Sequence, residues 1–215
     1  MEQARVATGG DPALMALIDA AIGGDTPAVV RLLTASPALA RASLLEGATR
    51  ASPKPHWRED IKHYLYAGDT ALHAAAAAYR HDAARQLIAA GADVRARNRR
   101  GAEPLHYAVD GGPGSPTWNP HAQVETVTCL IEAGADPNAF DLNGAAPLHR
   151  AVRNSCAAAV RTLLAGGADV RLHNQSGSSP MLLAMSNTGR GGTGTAEAKA
   201  QQSEIIRLLQ ENGAS

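Results

Sequence analysis

The chain has 215 residues, of which 45% are hydrophobic and only 3% are aromatic, and its 20 basic residues balance its 20 acidic residues. A core with so few rings must be built from Ala, Leu, Val and Ile, which suits thin helices packed close together. Because nucleic-acid binding normally needs a clustered excess of positive charge, the balanced charge argues against a nucleic-acid partner.

The N-terminal residues 1–10 contain no apolar run of the kind that forms a signal peptide. No stretch of the chain approaches the roughly 20 apolar residues of a membrane span. Cys129 and Cys156 are too few for a disulfide framework, and each lies in an Ala- and Leu-rich stretch. We therefore expect a soluble, cytoplasmic protein with no membrane partner and a flexible N-terminus over 1–10.

Two amphipathic helices are predicted within residues 11–40. Leu14, Leu17 and Ile18 recur on one helical face, and Pro27 suits the first turn of a second helix after a Gly-Gly break. This segment lacks the motif of the later repeats, so we interpret it as an atypical N-terminal capping repeat.

From residue 68 onward, two motifs recur in phase. The first is a Leu-His pair at Leu72-His73, Leu105-His106 and Leu148-His149, with a degraded copy at Met181-Leu182. The second is Gly-Ala-Asp, which begins at Gly91, Gly134 and Gly167. Both motifs have a period of 33 residues, and both lengthen to 43 residues at the same place, which indicates one insertion of ten residues.

A 33-residue period that carries a Thr-Pro-Leu-His-x-Ala motif resembles the ankyrin-repeat family. The resemblance is clear from Gly68 to Ser215 and weaker back to about Asp11. It implies an all-α solenoid of about five stacked helix–turn–helix units with β-turn or hairpin connections. It also implies that His73, His106 and His149 hydrogen-bond the backbone of a neighbouring turn. The predicted segments are a flexible N-terminus (1–10), a capping repeat (11–40), an inserted loop (41–67), and repeats at 68–98, 99–141 (with the ten-residue insertion), 142–174 and 175–215 (with a further insertion).

Each predicted repeat has its own start and stop signals. The hydroxyl of Thr70 can cap a helix, whereas Glu103 and Ala146 replace that Thr in the next two repeats. We expect each replacement to cost about 1 kcal/mol of capping energy. The Gly of each Gly-Ala-Asp motif suits the left-handed conformation in which helices commonly end.

Three segments depart from the repeat period: 41–67, which contains Trp57; 111–121, which contains Trp118; and the Gly/Thr-rich stretch 187–198. Such segments form loops at the edge of a solenoid, where they either bind a partner or are simply tolerated as solvated bulges. For the two loops that bear tryptophan both alternatives stay open, because Trp is favoured at binding hot spots. We interpret the Gly/Thr-rich stretch as a bulge.

No motif predicts catalysis, a cofactor or a metal. His56 and His63 flank Glu59 and Asp60, but the spacing of the two histidines matches no structural zinc site. The glycine-rich run 189–194 lacks the Lys of a phosphate-binding loop. We therefore expect a protein that is not an enzyme.

The resemblance implies a protein-binding module, monomeric when free, whose concave surface is built from arm tips and first helices. The candidate contact residues flank the turn glycines, lie on first helices, or are the loop tryptophans: Arg99, Arg100, Ala102, Tyr107, Asp110, Trp118, Leu142, Asn143, Ala145, Arg150, Arg153, Gln175, Ser176, Ser178 and Trp57. Arg95, Arg97, Arg99 and Arg100 form a basic strip, which predicts an acidic feature on the partner. The alternatives are an accessory or scaffold subunit that stabilises an enzyme or oligomer, and an enzyme whose site lies between the long loops.

Overall fold

The helices of the protein occur in pairs that stack side by side. The computed structural model describes residues 12–186 and 196–214. The predicted flexible N-terminus (1–10) and most of the predicted bulge (187–198) lie outside the described residues. Within them the α-helices are α1 (Pro12–Gly23), α2 (Thr26–Ala35), α3 (Ala71–Ala77), α4 (His81–Ala89), α5 (Pro104–Ala108), α6 (Pro120–Glu132), α7 (Pro147–Arg153), α8 (Ala157–Ala165), α9 (Pro180–Met185) and α10 (Ala196–Glu211).

The odd-numbered helices form one layer and the even-numbered helices form the other. Each helix contacts its partner in the pair and the equivalent helix of the next pair, from α1 to α9 in one layer and from α2 to α10 in the other. Leu72, Leu105 and Leu148 of the first layer are at most 1% exposed, so the apolar faces meet between the layers. The predicted all-α repeat stack is confirmed, with five helical pairs among the described residues.

A buried histidine joins each central repeat to the one that follows it. The Nδ1 atoms of His73, His106 and His149 accept from the N–H groups of Thr70, Glu103 and Ala146 at 3.2, 3.1 and 3.2 Å. The Nε2 atoms of the same histidines lie 3.1 Å from the carbonyl oxygens of Ala102, Ala145 and Leu172, in the arms that lead into the next helical pair. The predicted bonds to a neighbouring turn are confirmed.

The same histidines offset the missing threonines. At Glu103 and Ala146 the imidazole of the third helical residue still accepts from the N–H of the capping residue. The N–H of His106 and His149 donates to the backbone carbonyl of the capping residue, at 2.9 and 3.0 Å, where Thr70 offers its hydroxyl to His73. The predicted capping loss is therefore reduced, because both N–H groups keep a partner.

The arm tips use a side chain to fix the turn. Oδ1 of Asn98, Asp141 and Asn174 accepts from the N–H groups two and four residues further on, over distances of 2.8 to 3.1 Å. Successive tips are also joined through their backbones, since Leu142 N–H donates to Arg100 O and Gln175 N–H to Asn143 O, at 2.9 and 3.2 Å. The tips consequently form a continuous edge.

The second helices end at glycines whose φ angles are positive. Gly91, Gly134 and Gly167 have φ of 92°, 96° and 91°, in the left-handed region that favours Gly. The carbonyl of each of these glycines accepts a hydrogen bond from a side chain of the preceding repeat: Arg41 at 2.8 Å, Arg95 at 2.9 Å and Asn138 at 3.0 Å. The helix ends therefore also hold neighbouring repeats together.

The segment predicted as an inserted loop, 41–67, is more ordered than a loop. It contains a β-hairpin of β1 (Trp57–Arg58) and β2 (His63–Tyr64), in which Trp57 pairs with Tyr64. Short 3-10 helices lie at Pro37–Arg41, Lys54–His56 and Glu59–Ile61. Leu44 N–H donates to Asp69 O at 2.8 Å and Ala48 N–H to Leu65 O at 2.7 Å, so the segment runs beside the entry to α3. These long-range contacts have no local sequence signal.

Glu103, the capping residue of α5, has a buried carboxyl group that is only partly satisfied by hydrogen bonds. The residue is 5% exposed, and its Oε2 atom is buried with no hydrogen-bond partner among the described residues. Burial raises the pKa of its carboxyl to about 7. A raised acid pKa means that the folded state holds the proton more tightly than the unfolded state does. Glu103 therefore destabilises the fold increasingly as the pH rises from 4.5 to about 7.

We expect Glu103→Thr to raise the free energy of unfolding by about 1–3 kcal/mol above neutral pH, because it removes a buried charge and restores a capping hydroxyl. Only the capping part of the gain should remain well below pH 4.5, where the wild-type carboxyl is protonated in both states. Urea unfolding across this pH range measures both. Glu46→Thr, at an exposed position, is the control, and a gain for Glu103→Thr that is independent of pH would contradict the interpretation.

Candidate functional site

A concave pocket lies where the hairpin faces the first helices and the arm tips. We call it the hairpin pocket, and its volume is about 450 Å³. The side chains that line it come from the end of the 41–67 segment, from the arm tips of three repeats, and from the first helices of two of those repeats, α5 and α7. They are His63, Tyr64, Tyr66, Arg100, Ala102, Tyr107, Asp110, Asp141, Asn143, Ala145, Arg150, Arg153, Asn154, Asn174 and Ser176.

The floor of the hairpin pocket is a buried charge network centred on Arg150 of α7. Its guanidinium donates to Asp110 Oδ2 at 2.9 Å and to Asp141 Oδ2 at 2.7 Å. The exposed fractions of these side chains are 14% for Arg150, 27% for Asp110 and 2% for Asp141. Asp110 follows α5, whereas Asp141 begins the next arm tip, so the network joins two repeats. His63 Nε2 of the hairpin lies 3.4 Å from Asp110 Oδ2.

The network fixes the charge state of its members. Burial alone would raise the pKa of the Asp110 and Asp141 carboxyls, but the Arg150 guanidinium lowers both below their ordinary value. Burial alone would lower the pKa of Arg150, and the two carboxylates raise it instead. All three groups are therefore charged at neutral pH. The pKa of the neighbouring His106 falls to about 4, through burial first and the positive charge of Arg150 second, so its imidazole is neutral.

A second buried network lies beneath Tyr107. Its hydroxyl donates to Asp69 Oδ1 at 2.9 Å, and Asn98 Nδ2 donates to the same carboxyl oxygen at 2.8 Å. Burial and the Asp69 carboxylate raise the pKa of the Tyr107 phenol well above its ordinary value. Tyr107 is only 2% exposed, and its ring lies 4.4 Å from that of His63. Tyr107 thus supports the hairpin and exposes little surface, and its role as a contact residue stays a prediction.

Three of the four arginines in the predicted basic strip donate hydrogen bonds to backbone carbonyl groups of the protein. Arg95 Nε donates to Gly134 O at 2.9 Å, and Arg97 Nε donates to Gly101 O at 3.1 Å. The guanidinium of Arg99 donates to Ala48 O. Arg100 differs, because it lines the hairpin pocket, with its guanidinium 5.0 Å from the centre of the Tyr66 ring. Only one of the four arginines therefore faces the pocket.

The remaining predicted contact residues fall into distinct places. Asp110, Asn143, Arg150, Arg153 and Ser176 line the hairpin pocket together with Arg100. Leu142, which is 68% exposed, lies at an arm tip outside the pocket lining, and Gln175 is exposed at the next tip. Ala102 and Ala145 also line the hairpin pocket, although they are only 1% and 4% exposed, and their role as contact positions stays a prediction. Ser178 is partly buried in its turn.

The two loop tryptophans do not line the hairpin pocket. Trp57 lies on the hairpin, where its Nε1 donates to Glu59 Oε2 at 2.6 Å and its ring contacts Tyr64 at 4.7 Å. Trp118 packs against the core, and its Nε1 donates to Gln123 Oε1 at 3.0 Å. Both indole N–H groups are therefore occupied within the protein, as is usual for partly buried Trp.

Sequence reasoning missed the hairpin wall of the pocket, His63, Tyr64 and Tyr66. One signal could have indicated it, since two of the four tyrosines and one of the two tryptophans fall between residues 57 and 66. A local concentration of rings in a chain that has few points to a packed element. The amides of Asn154 and Asn174 had no such signal.

The site carries no arrangement for metal chemistry in the part of the chain that the structure describes. No group of three or more His, Cys, Asp or Glu side chains there is placed to hold a metal ion. Cys129 and Cys156 are buried and form no disulfide, and burial raises the pKa of both thiols. In the same residues no helix is both long enough and apolar enough to cross a membrane.

One family model matches the chain in two places. A family model described as "Ankyrin repeats (3 copies)" matches residues 17–116 and again residues 117–215. Together the two matches extend over nearly the whole chain. No curated protein matches the sequence.

We expect Arg150→Ala to lower the free energy of unfolding by about 3–5 kcal/mol, because it leaves two buried carboxylates without their counter-charge. Arg153→Ala, on the same helix, should change stability by no more than about 0.5 kcal/mol, since Arg153 has no ion pair among the described residues. Adding Asp110→Asn and Asp141→Asn to Arg150→Ala should restore part of the loss. Chemical denaturation measures all of these, and equal losses for the two arginine variants would refute the network's role.

Proposed function

Because the chain belongs to the ankyrin-repeat family, we propose that it is a protein-binding module whose partner occupies the hairpin pocket and the arm tips beside it. Ankyrin repeats generally mediate protein–protein interactions. The observation that carries the proposal is the hairpin pocket itself. Its lining comes from the hairpin and from three successive repeats, so one bound segment would contact side chains that are far apart in sequence.

The chemistry of the pocket wall supports binding of a protein. Tyr64 and Tyr66 provide rings, Arg100 and Arg153 provide guanidiniums, and Asn143 provides an exposed amide. Tyr and Arg are enriched at protein interfaces and among the residues that dominate binding energy, whereas small polar groups add adaptable hydrogen bonds. Leu142, 68% exposed at the adjacent arm tip, offers an apolar contact next to these polar groups.

The size of the pocket favours an extended peptide segment. A volume of about 450 Å³ can hold a few side chains but not the face of a folded domain. The rigid floor is an advantage here, because a preformed site avoids the entropic cost of ordering its own side chains on binding. We therefore propose that the partner inserts an exposed segment, with the rest of its surface resting on the arm tips.

The test is selection of random peptides, displayed on phage, against the purified full chain. We expect the enriched peptides to bind the wild type and to lose about tenfold or more in affinity for Asn143→Trp, because the larger side chain occupies the mouth of the pocket. Fluorescence polarisation with synthetic copies of the peptides gives the affinities. Asn143 is exposed, so the substitution should leave the melting temperature unchanged.

Gln86→Trp is the matched control, since it places the same side chain on an exposed position of α4 in the other helical layer. It should leave the affinity of every selected peptide unchanged. Equal affinity of the peptides for Asn143→Trp and the wild type would show that they bind elsewhere, and would rule out the hairpin pocket as the binding site. A selection that enriches no peptide would also count against the proposal.

A further inference from the structure

We propose that the hairpin pocket binds a single carboxylate of the partner segment, either an Asp or Glu side chain or a C-terminal carboxyl group, between Arg100 and Arg153. This inference rests on the proposed function and adds to it the chemical class of the bound group. It comes from the arginines of the pocket that the fold leaves without a counter-charge.

The charges of the pocket do not balance. Three arginines line it, Arg100, Arg150 and Arg153, against two carboxylates, Asp110 and Asp141. Arg150 contacts both of those carboxylates, at 2.9 and 2.7 Å. Within residues 12–186 and 196–214, Arg100 and Arg153 form no ion pair. With histidine counted as neutral, the lining has a net formal charge of one positive unit.

This excess matches a monoanion. One carboxylate would neutralise the lining, whereas a phosphate group, with a charge of about −1.5 to −2 at neutral pH, would make it negative overall. The two carboxylates of the floor would repel a dianion further, because Asp110 and Asp141 remain ionised beside Arg150. A cationic group is disfavoured because the lining is positively charged overall and because Arg150 already pairs with both carboxylates.

Arg100 is held in place for such a contact. Its guanidinium lies 5.0 Å from the centre of the Tyr66 ring, and its Nη1 lies 3.3 Å from the Tyr66 hydroxyl. Both contacts with Tyr66 restrict the guanidinium, and its donors other than Nη1 stay available. A planar guanidinium can bind a carboxylate through two parallel N–H···O bonds, which is the geometry that favours Arg over Lys.

The surroundings suit a carboxylate carried on a peptide. Asn143, Asn174 and Ser176 lie on the arm-tip side of the pocket, where their polar groups can meet peptide N–H and C=O groups. Tyr64 also lines the pocket and can cover an apolar side chain next to the carboxylate. The low dielectric next to the buried floor strengthens the attraction between the carboxylate and the two arginines compared with a contact in open solvent.

Two random-peptide libraries test the proposal with the full chain. In one library both peptide ends are fused to the display protein, so only side chains can supply a carboxylate. In the other library the C-terminus is free. We expect enrichment of Asp or Glu in the first library if the bound group is a side chain, and enrichment confined to the second library if it is the C-terminus.

Each selected peptide is then resynthesised with the critical carboxylate converted to its amide. Binding to the wild type should weaken about tenfold or more, and so should binding of the original peptide to the double variant Arg100→Gln with Arg153→Gln. The double variant Arg31→Gln with Arg50→Gln changes the net charge equally at exposed positions outside the pocket, and should leave the affinity unchanged.

The outcomes separate this inference from the proposed function. If Asn143→Trp abolishes binding but amidation and the Arg100/Arg153 variant do not weaken it, the pocket binds peptides without a carboxylate, and only the inference fails. If Asn143→Trp has no effect, the proposed function fails as well. If phosphoserine in place of the carboxylate residue binds more tightly than the carboxylate by about tenfold, the ligand is a phosphopeptide, and the charge argument is overturned.

Discussion

The structure depends on the neutral, buried histidine that links each central repeat to the next. One imidazole nitrogen accepts from the N–H at the start of its own helix, and the other lies 3.1 Å from a carbonyl of the arm that leads into the next helical pair. Both contacts are possible at once only for the uncharged ring, which accepts through one nitrogen and donates through the other. Burial lowers the pKa of His73, His106 and His149, so the folded protein keeps these rings uncharged at neutral pH. The inner-face side chains therefore recur at a fixed offset, which is what allows three repeats to share one pocket.

The repeats could be predicted because their signals are local. A proline in the first turn, a Leu-His pair and a closing glycine occur within one helical pair, and the 33-residue period then places the next pair. The hairpin could not be predicted in the same way, because distant contacts hold it in place. Arg58 pairs with Asp19 at 3.0 Å, and His63 lies 3.4 Å from Asp110. Glu103 illustrates the same limit: its replacement of Thr was visible, but the imidazole and backbone bonds that maintain the cap were not.

The sequence indicated which face of the repeat stack carries the candidate site, but not which individual side chains line it. Positions next to the turn glycines do line the hairpin pocket, as Arg100, Asn143 and Ser176 show. The sequence could not distinguish Arg100 from Arg99, however, because the two are identical, adjacent residues that follow Asn98. Both are also exposed in the structure. Backbone geometry directs Arg99 toward Ala48 O of the hairpin segment and Arg100 toward the pocket. A run of arginines therefore does not indicate a binding surface until the carbonyl groups that they satisfy are known.

In the hairpin pocket, the residues that stabilise the structure differ from the residues that are available to bind a ligand. Arg150, Asp110, Asp141 and Tyr107 form its floor, and each is bonded to groups from another part of the chain. Removing Arg150 would leave both carboxylates without their counter-charge, and removing either carboxylate would take away one of the two partners of Arg150, so the floor tolerates little change. Arg100, Arg153 and Asn143 at the rim make few contacts with the fold, so substitutions there change the charge of the lining at little cost in stability. Because the floor alone carries one excess negative charge, the rim arginines decide whether the pocket attracts anions or repels them. The preference of the pocket can consequently change through rim residues alone, while the repeat stack beneath it stays the same.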